Sequence, residues 1–262
     1  MLLIVVKVAL TALVVVSATI VAERLKPIWA GILTTIPLSS GAAFVMLALS
    51  ESPAFLSDAA LAALVTSIAA YAYLAVFVSL APRRAAFASV SAAFLTWLAF
   101  STISYAFAWS LTAALLGNLL AYAACRIITR SAPDPHVAGR RASPTRRDLL
   151  LRGLAVGLLA TVVSISGRYV GPTVAGTLAV FPMVYVTVAF IVHRRAGGAV
   201  AAATMGSAAT PLVGVSLAFF TLAALATVTG SLAAMLAALA VTMLWPLMLA
   251  LRHLHLNRAI PA

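Results

Sequence analysis

Two proline residues ten positions apart occur twice in the sequence, in the stretches 27–37 and 172–182. The stretches are 145 positions apart, and both fit the pattern Pro-x-x-Ala-Gly-x-Leu-x-x-x-Pro. A proline inside a helix lacks the backbone N–H donor and displaces the carbonyl group four residues earlier. The second proline of each stretch would therefore free the carbonyl oxygen of Leu33 or Leu178, and a polar solute could bind to it.

Polar side chains near these prolines supply further groups for a solute path. If each stretch begins a membrane helix, its second proline lies about 15 Å along the helix, close to the membrane midplane. Transporters with repeated units commonly bind substrates at this depth. Arg168, a lone basic residue before the second stretch, could attract an anion. The residues predicted to line the path are Thr34, Thr35, Pro37, Ser39, Ser40, Pro182, Tyr185 and Thr187.

A purely structural role for the repeated stretch is the alternative. Ala30 and Gly31, and their counterparts Ala175 and Gly176, are small enough to let two membrane helices approach closely. Serine and threonine hydroxyls can also bond to carbonyl groups of their own helix. The sequence leaves helix packing and a solute path open.

The composition places these residues in a membrane protein. Of the 262 residues, 64% are hydrophobic and 8% are charged, whereas a soluble domain has about 25% charged residues. The net charge of +12 does not indicate nucleic-acid binding, because the basic residues lie in short segments between apolar runs, as in cytoplasmic loops. Runs long enough to span a bilayer are 2–22, 27–50, 56–80, two within 85–128 divided near 104–109, 149–167, 172–192, and three within 199–251.

The 145-residue offset indicates an internal repeat. We predict an all-α polytopic membrane protein with about ten transmembrane helices in two inverted five-helix repeats. Residues 1–128 form the first repeat, 129–148 a basic cytoplasmic linker, and 149–262 the second repeat. An odd number of helices in the first repeat gives the second repeat the opposite orientation in the membrane.

The distribution of basic residues fits inverted repeats, with one exception. Arg83 and Arg84 follow the third predicted helix, whereas the equivalent segment around 211–214 has no basic residue. The exception is the C-terminal tail with Arg252 and Arg258, which ten helices place opposite to the other basic loops. Nine helices would place the tail on the side of the linker but would disturb the five-plus-five repeat.

Enzyme motifs are absent from the sequence, which has neither a glycine-rich phosphate loop nor a His-Glu-x-x-His motif. His253 and His255 suit a surface tail, and the single Cys125 excludes an intrachain disulfide. We therefore expect no enzyme activity, no catalytic residue, no metal site and no cofactor. The expected partners are the lipid bilayer and a small-molecule solute, a homodimer is a further alternative, and nucleic acid is not expected.

The first half of the chain resembles the GlpM-like family of small bacterial membrane proteins. The resemblance rests on Lys7, the turn Ala22-Glu23-Arg24, and Gly31 followed by Ile36-Pro37-Leu38-Ser39-Ser40, and it covers about the first 110 residues. It implies two tandem units of this kind in a bacterial inner membrane. More loosely, the five-plus-five plan is similar to that of the drug/metabolite transporter superfamily.

The predicted function is secondary transport of a small neutral or anionic solute along a path at the paired proline kinks. The rival hypothesis is a non-transporting membrane scaffold, or an assembly factor of an envelope pathway. A polar cavity near the midplane would favour transport, whereas a sealed interior would favour a scaffold. A lipid-modifying enzyme would need an acid/base pair that the sequence lacks.

Overall fold

The computed structural model describes residues 38–130 and 169–258. Within these ranges the chain is all-helical and contains no strand. The helices are α1 (Leu38–Ser50), α2 (Pro53–Leu80), α3 (Ala86–Ser104), α4 (Leu111–Thr129), α5 (169–179), α6 (Met183–Ala196), α7 (Gly198–Gly206), α8 (Ala209–Thr229) and α9 (Ser231–Arg258).

Six helical stretches of the described chain are long and apolar enough to cross a membrane, and α1 is a shorter apolar helix. The predicted span 56–80 and the predicted division of 85–128 near 104–109 are confirmed by α2, α3 and α4. The predicted spans 2–22 and 149–167 lie outside the described residues, as does most of the linker 129–148. The six stretches are Pro53–Leu80, Ala86–Ser104, Leu111–Thr129, Tyr169–Ala196, Gly198–Thr229 and Ser231–Leu249.

The segment 199–251 contains three helices, as predicted, but it does not form three spans. Helix α7 has nine residues, about 13 Å, which is less than half of a bilayer core of about 30 Å. Helices α7 and α8 therefore make one membrane-spanning stretch. The described part of the second half gives one span fewer than the ten-helix arrangement requires, so that arrangement is not confirmed.

Polar caps and glycines set the helix ends. The hydroxyl of Ser52 accepts a hydrogen bond from the backbone N–H of Phe55 at 3.2 Å, and Pro53 occupies the first turn of α2, where its missing N–H costs nothing. Gly197 and Gly230 have φ values of 88° and 85° and follow α6 and α8. Only glycine adopts this left-handed backbone without strain, so both glycines mark helix ends.

The 145-residue offset also appears in the helix boundaries. Helix α2 begins at Pro53 and α7 at Gly198, while α3 begins at Ala86 and α9 at Ser231. The two pairs of helix starts are thus both 145 positions apart. Helix α9 continues through the positions equivalent to the α3–α4 loop, so the helix that follows α3 has no separate counterpart in the described chain.

Helices α2 and α8 pack against each other at the centre of the described bundle. Helix α3 packs on α2 and α9 packs on α8, while α6 contacts α3 and α1 contacts α9. Helices of the first half of the chain are therefore in contact with helices of the second half. The side chains of Phe87, Leu120 and Leu232 are exposed on outer helices, and lipid is the medium that suits such apolar surfaces.

Candidate functional site

Several of the residues predicted to line the path cannot be placed. Thr34, Thr35, Pro37 and Arg168 lie outside the described residues, as does the side chain of Ser39. Ser40 lies in the first turns of α1 and is buried. The second copy of the repeated stretch lies within the described chain, and it and the residues that follow it supply the other three predicted residues.

Pro182 interrupts the helical stretch 169–196, as predicted, but it does not free a carbonyl group. The carbonyl oxygen of Leu178 accepts a hydrogen bond from the backbone N–H of Phe181 at 3.0 Å. The chain tightens into an i to i+3 bond before the proline and so compensates for the lost donor. The predicted free oxygen at Leu178 is therefore wrong.

The other two predicted residues of the second half have packing roles in this conformation. The hydroxyl of Thr187 donates to the carbonyl oxygen of Met183 in its own helix at 2.8 Å. The ring of Tyr185 stacks on Tyr73 of α2 with their centroids 6.1 Å apart. Pro182, Tyr185 and Thr187 do not belong to the lining of the cavity at one end of the bundle.

A cavity of about 480 Å³ lies at one end of the bundle, where α2 and α5 begin and α3 ends. Its walls are the first half of α2, the loop between α3 and α4, and the first turns of α5. Hydroxyl, carboxylate and aromatic side chains share this lining, so the cavity offers both polar and apolar contacts. The lining residues are Asp58, Leu61, Ala62, Val65, Ser104, Tyr105, Phe107, Trp109, Pro172, Thr173, Val174 and Thr177.

Tyr105 and Thr177 of the cavity lining, together with the buried Thr66 behind them, form a group of three hydroxyls that we call the polar floor. The hydroxyl of Tyr105 donates to Oγ1 of Thr177 at 2.9 Å, and Oγ1 of Thr66 lies 3.2 Å from the same atom. Thr66 is at the middle of α2, about 20 Å from its first residue. The polar floor thus joins the middle of α2 to Tyr105, the residue directly after α3.

Gly176 brings α5 close enough to α2 for the polar floor to form. A Cβ atom at this position would overlap the backbone carbonyl of Ala59, and the neighbouring Ala175 is fully buried. In the second copy, then, the Ala-Gly pair serves close helix packing, as the structural alternative predicted. The same close approach places Thr177, the next residue, beside Thr66.

Sequence reasoning did not assign the polar floor. Thr177 lies inside the repeated stretch, directly after Gly176, and was therefore available as a candidate. Tyr105 lies at the predicted break between two spans, where aromatic residues normally mark the membrane interface. Asp58 lies one turn into α2, and its exposure at the cavity depends on a contact with α5 that the sequence does not show.

A buried aromatic cluster lies between α2, α3 and the stretch 181–185. The ring of Phe181, next to Pro182, lies 5.4 Å from Trp97 and 5.7 Å from Phe94. Tyr73 and Tyr185 belong to the same buried cluster. We call Tyr73, Phe94, Trp97, Phe181 and Tyr185 the aromatic cluster. They lie between the cavity and the other end of the bundle.

Two positions of the aromatic cluster correspond to small side chains in the other half. At the 145-residue offset, Tyr73 corresponds to Ala218 and Trp97 to Thr242. Ala218 and Thr242 line a shallow groove of about 30 Å³ between α1, α8 and α9, together with Gly41 and Phe44. Large rings thus fill one half of the molecule at the position where the other half keeps a small space.

The opposite end of the bundle is held together by His193 at the end of α6. Its Nε2 atom lies 3.0 Å from the carbonyl oxygens of both Ala81 and Arg84 in the α2–α3 loop. Because both partners are acceptors, Nε2 carries the hydrogen atom. Gly198 packs directly on the carbonyl of Ala81, where a Cβ atom would not fit. The cavity therefore opens at one end, and the other end is tightly packed.

A separate, fully paired polar group joins three helices. The side-chain amide of Asn118 in α4 donates to the carbonyl oxygen of Leu64 in α2 at 2.7 Å and to that of Ala114 at 2.9 Å. Its Oδ1 atom accepts from the hydroxyl of Ser216 in α8 at 3.0 Å. Since Asn118 is buried and its hydrogen bonds link neighbouring helices, its role is structural.

The described residues contain no group of three or more His, Cys, Asp or Glu side chains that could hold a metal ion. Comparison with known proteins found no matching family model, no matching curated protein and no matching solved structure. The arguments for function consequently come from the cavity, its polar floor and the aromatic cluster.

Proposed function

We propose that this protein is a secondary transporter in the inner membrane of a bacterium, and that the 480 Å³ cavity is one entrance of its solute path. The observation that carries the proposal is the polar floor, where the hydroxyls of Tyr105 and Thr177 meet that of Thr66 at the middle of α2. The Thr66 and Thr177 hydroxyls also bond to the carbonyl oxygens of Ala62 and Thr173 in their own helices, at 2.8 and 3.0 Å, so what the floor can offer a solute is the acceptor capacity of its oxygen atoms. A cavity of this volume is typical of small-molecule sites.

The lining of the cavity supports a neutral solute more than an anionic one. Asp58 is the charged residue of the lining, and no basic residue occurs among the described lining residues. A carboxylate in a partly apolar cavity repels anions, whereas hydroxyl groups can both donate to and accept from a neutral polar molecule. We therefore propose a small solute that carries hydroxyl or amide groups and no net negative charge.

We further propose two inverted four-helix units, within 1–104 and 149–258, with α4 between them. The predicted spans 2–22, 27–50 (which ends in α1) and 149–167, added to the six membrane-spanning stretches of the described chain, give nine spans. Because five spans precede the second unit, that unit has the opposite orientation in the membrane. The basic C-terminal tail then lies on the same side as the basic linker, as the positive-inside rule requires. The first unit also matches the length of the GlpM-like resemblance, and we retain that family as part of the proposal.

Reporter fusions test the nine-span arrangement. A fluorescent protein fused after residue 262 is expected to fluoresce as strongly as one inserted in the linker near residue 138, because nine spans place both in the cytoplasm. Alkaline phosphatase, which needs an oxidising compartment, is expected to be active in the α3–α4 loop and inactive at the other two positions. An active phosphatase at the C-terminus would restore the ten-span arrangement.

Removal of the hydroxyl groups of the polar floor tests the transport function. Purified protein in liposomes is offered radiolabelled polyols, sugars and zwitterionic amino acids, and at least one of them is expected to enter. For that solute, Tyr105→Phe and Thr177→Val are each expected to reduce uptake about tenfold, because one hydrogen bond is worth about 1 kcal/mol or slightly more.

Thr187→Val is the matched control for this experiment, since the Thr187 hydroxyl bonds to its own helix outside the cavity. It is expected to leave uptake unchanged. Equal uptake rates in all variants would show that the polar floor is not part of the solute path. If no solute of the panel enters the liposomes, the scaffold hypothesis gains support instead.

A further inference from the structure

Four buried polar atoms on and beside α3 have no hydrogen-bond partner among the described residues. They are the hydroxyl oxygens of Tyr73, Ser89 and Ser101 and the indole Nε1 of Trp97. All four side chains are less than a tenth exposed. An unpaired polar group in the membrane interior costs several kcal/mol, so four of them in one region call for a ligand.

The two serines depart from the behaviour of other hydroxyl residues in the same helix. Thr96 and Thr102 donate to the carbonyl oxygens four residues earlier, at 2.9 and 2.8 Å. Ser67, buried in α2, does the same with Ala63 at 2.9 Å. Ser89 and Ser101 have the same local option and do not use it, so their hydroxyls are available to another partner.

The unpaired atoms of α3 form a row that winds around the helix away from the cavity. Ser89, Trp97 and Ser101 are spaced by eight and four residues, so the row turns by about 120° between Ser89 and Ser101. Together they extend about 18 Å along the axis, more than half of the bilayer core. Ser104 of the cavity lining lies one turn above Ser101 and donates to its carbonyl oxygen at 2.7 Å.

Tyr73 lies on the other wall of this row, in the aromatic cluster of α2, α3 and the stretch around Pro182. The ring of Trp97 contacts Phe181, and that of Tyr73 contacts Tyr185. The four atoms thus follow the interface between α3 and its neighbours from the cavity toward the opposite end of the bundle.

We propose that this row is the continuation of the solute path, occupied by water molecules that bind the four unpaired atoms. Water suits the set because it accepts from the indole N–H and both donates to and accepts from hydroxyls. The four groups carry no charge, which suits neutral polar molecules and not ions. The inference rests on the proposed transport function for its purpose, but the presence of water can be tested separately.

Cysteine reactivity tests whether water reaches the side chains of the row. In a Cys125→Ala background, Ser89→Cys and Ser101→Cys are exposed to N-ethylmaleimide in the detergent-purified full-length protein. Ser67→Cys is the matched control, since Ser67 is equally buried and its hydroxyl is paired. Because the thiolate reacts and forms only in water, we expect both test cysteines to react at least about tenfold faster than the control. Equal rates would overturn the proposal.

Hydroxyl-radical footprinting of the unmodified protein gives a second result that needs no variant. Radicals arise from water, so Trp97 and Tyr73 are expected to be oxidised although they are buried, whereas the buried Phe44 outside the row is not. Protection of Trp97 equal to that of Phe44 would contradict the proposal. If the row residues are modified but no solute is taken up, the transport function is rejected and the water-filled row is retained. If solute is taken up but the row residues are not modified, the solute path lies elsewhere.

Discussion

Replacement of Gly176 by alanine is expected to lower the melting temperature of the purified protein by several degrees. The added Cβ atom would meet the backbone carbonyl of Ala59, which cannot rotate away as a side chain could. Overpacking of this kind costs about 1–3 kcal/mol, and each kcal/mol shifts the melting temperature by roughly 2–4 °C in a chain of this size. Thermal unfolding in detergent measures the shift.

The same substitution is expected to impair uptake, because separation of α5 from α2 pulls Thr177 away from Thr66. Gly41→Ala is the matched control: Gly41 lies in α1, and a Cβ atom there would meet no atom within 4 Å. Alanine is the better helix former by about 0.5–1 kcal/mol, so the control is expected to be as stable as the wild type or slightly more stable. Equal melting temperatures of the two variants would refute the close contact between Gly176 and Ala59.

Replacement of Asn118 by leucine is expected to destabilise the protein by about 1–2 kcal/mol. The volume is nearly preserved, but the carbonyl of Leu64 loses its donor and the hydroxyl of Ser216 loses one acceptor. Hydrogen bonds between membrane helices contribute about 0.6 kcal/mol on average and up to about 1.7, and Asn118 makes two such bonds. Denaturation by increasing fractions of an anionic detergent measures the free energy of unfolding.

Thr129→Val in the same helix is the control for this variant, since its hydroxyl bonds to the carbonyl of Cys125 within α4. A cycle with Ser216→Ala isolates the pair: the double variant is expected to lose less than the sum of the single changes, because the first change already breaks the shared bond. Strict additivity would show that the amide of Asn118 and the hydroxyl of Ser216 do not interact.

Local chemistry made some helix boundaries predictable and others not. The break after Ser104 was found because 44 residues exceed one span and polar and aromatic residues lie at the middle. The sequence predicts a loop between two spans near Pro211 and Gly214, whereas the structure places the break between α7 and α8 before both residues. Pro211 instead lies in the first turn of α8, where proline is tolerated, and Gly214 receives the ring of Trp245.

The candidate site depends on contacts that no local pattern encodes. Thr66 and Thr177 are 111 positions apart, and they meet only because Gly176 allows α5 to lie against α2. The prediction placed the path at the second proline of each stretch, whereas Thr177 precedes Pro182 by five residues. It assigned the chemistry to a freed carbonyl, whereas the described chain pairs that carbonyl and leaves hydroxyl groups at the cavity.

The unequal filling of the two halves has a thermodynamic consequence. Two identical halves that exchange conformations would give two states of equal free energy, related by symmetry. Tyr73 and Trp97 fill the space that Ala218 and Thr242 leave as a groove, so the exchanged state would have to repack large rings into a place shaped for small residues. Under the proposed transport function, this difference removes the degeneracy and favours the conformation described here, with the cavity at the α2–α5 end, over the exchanged one.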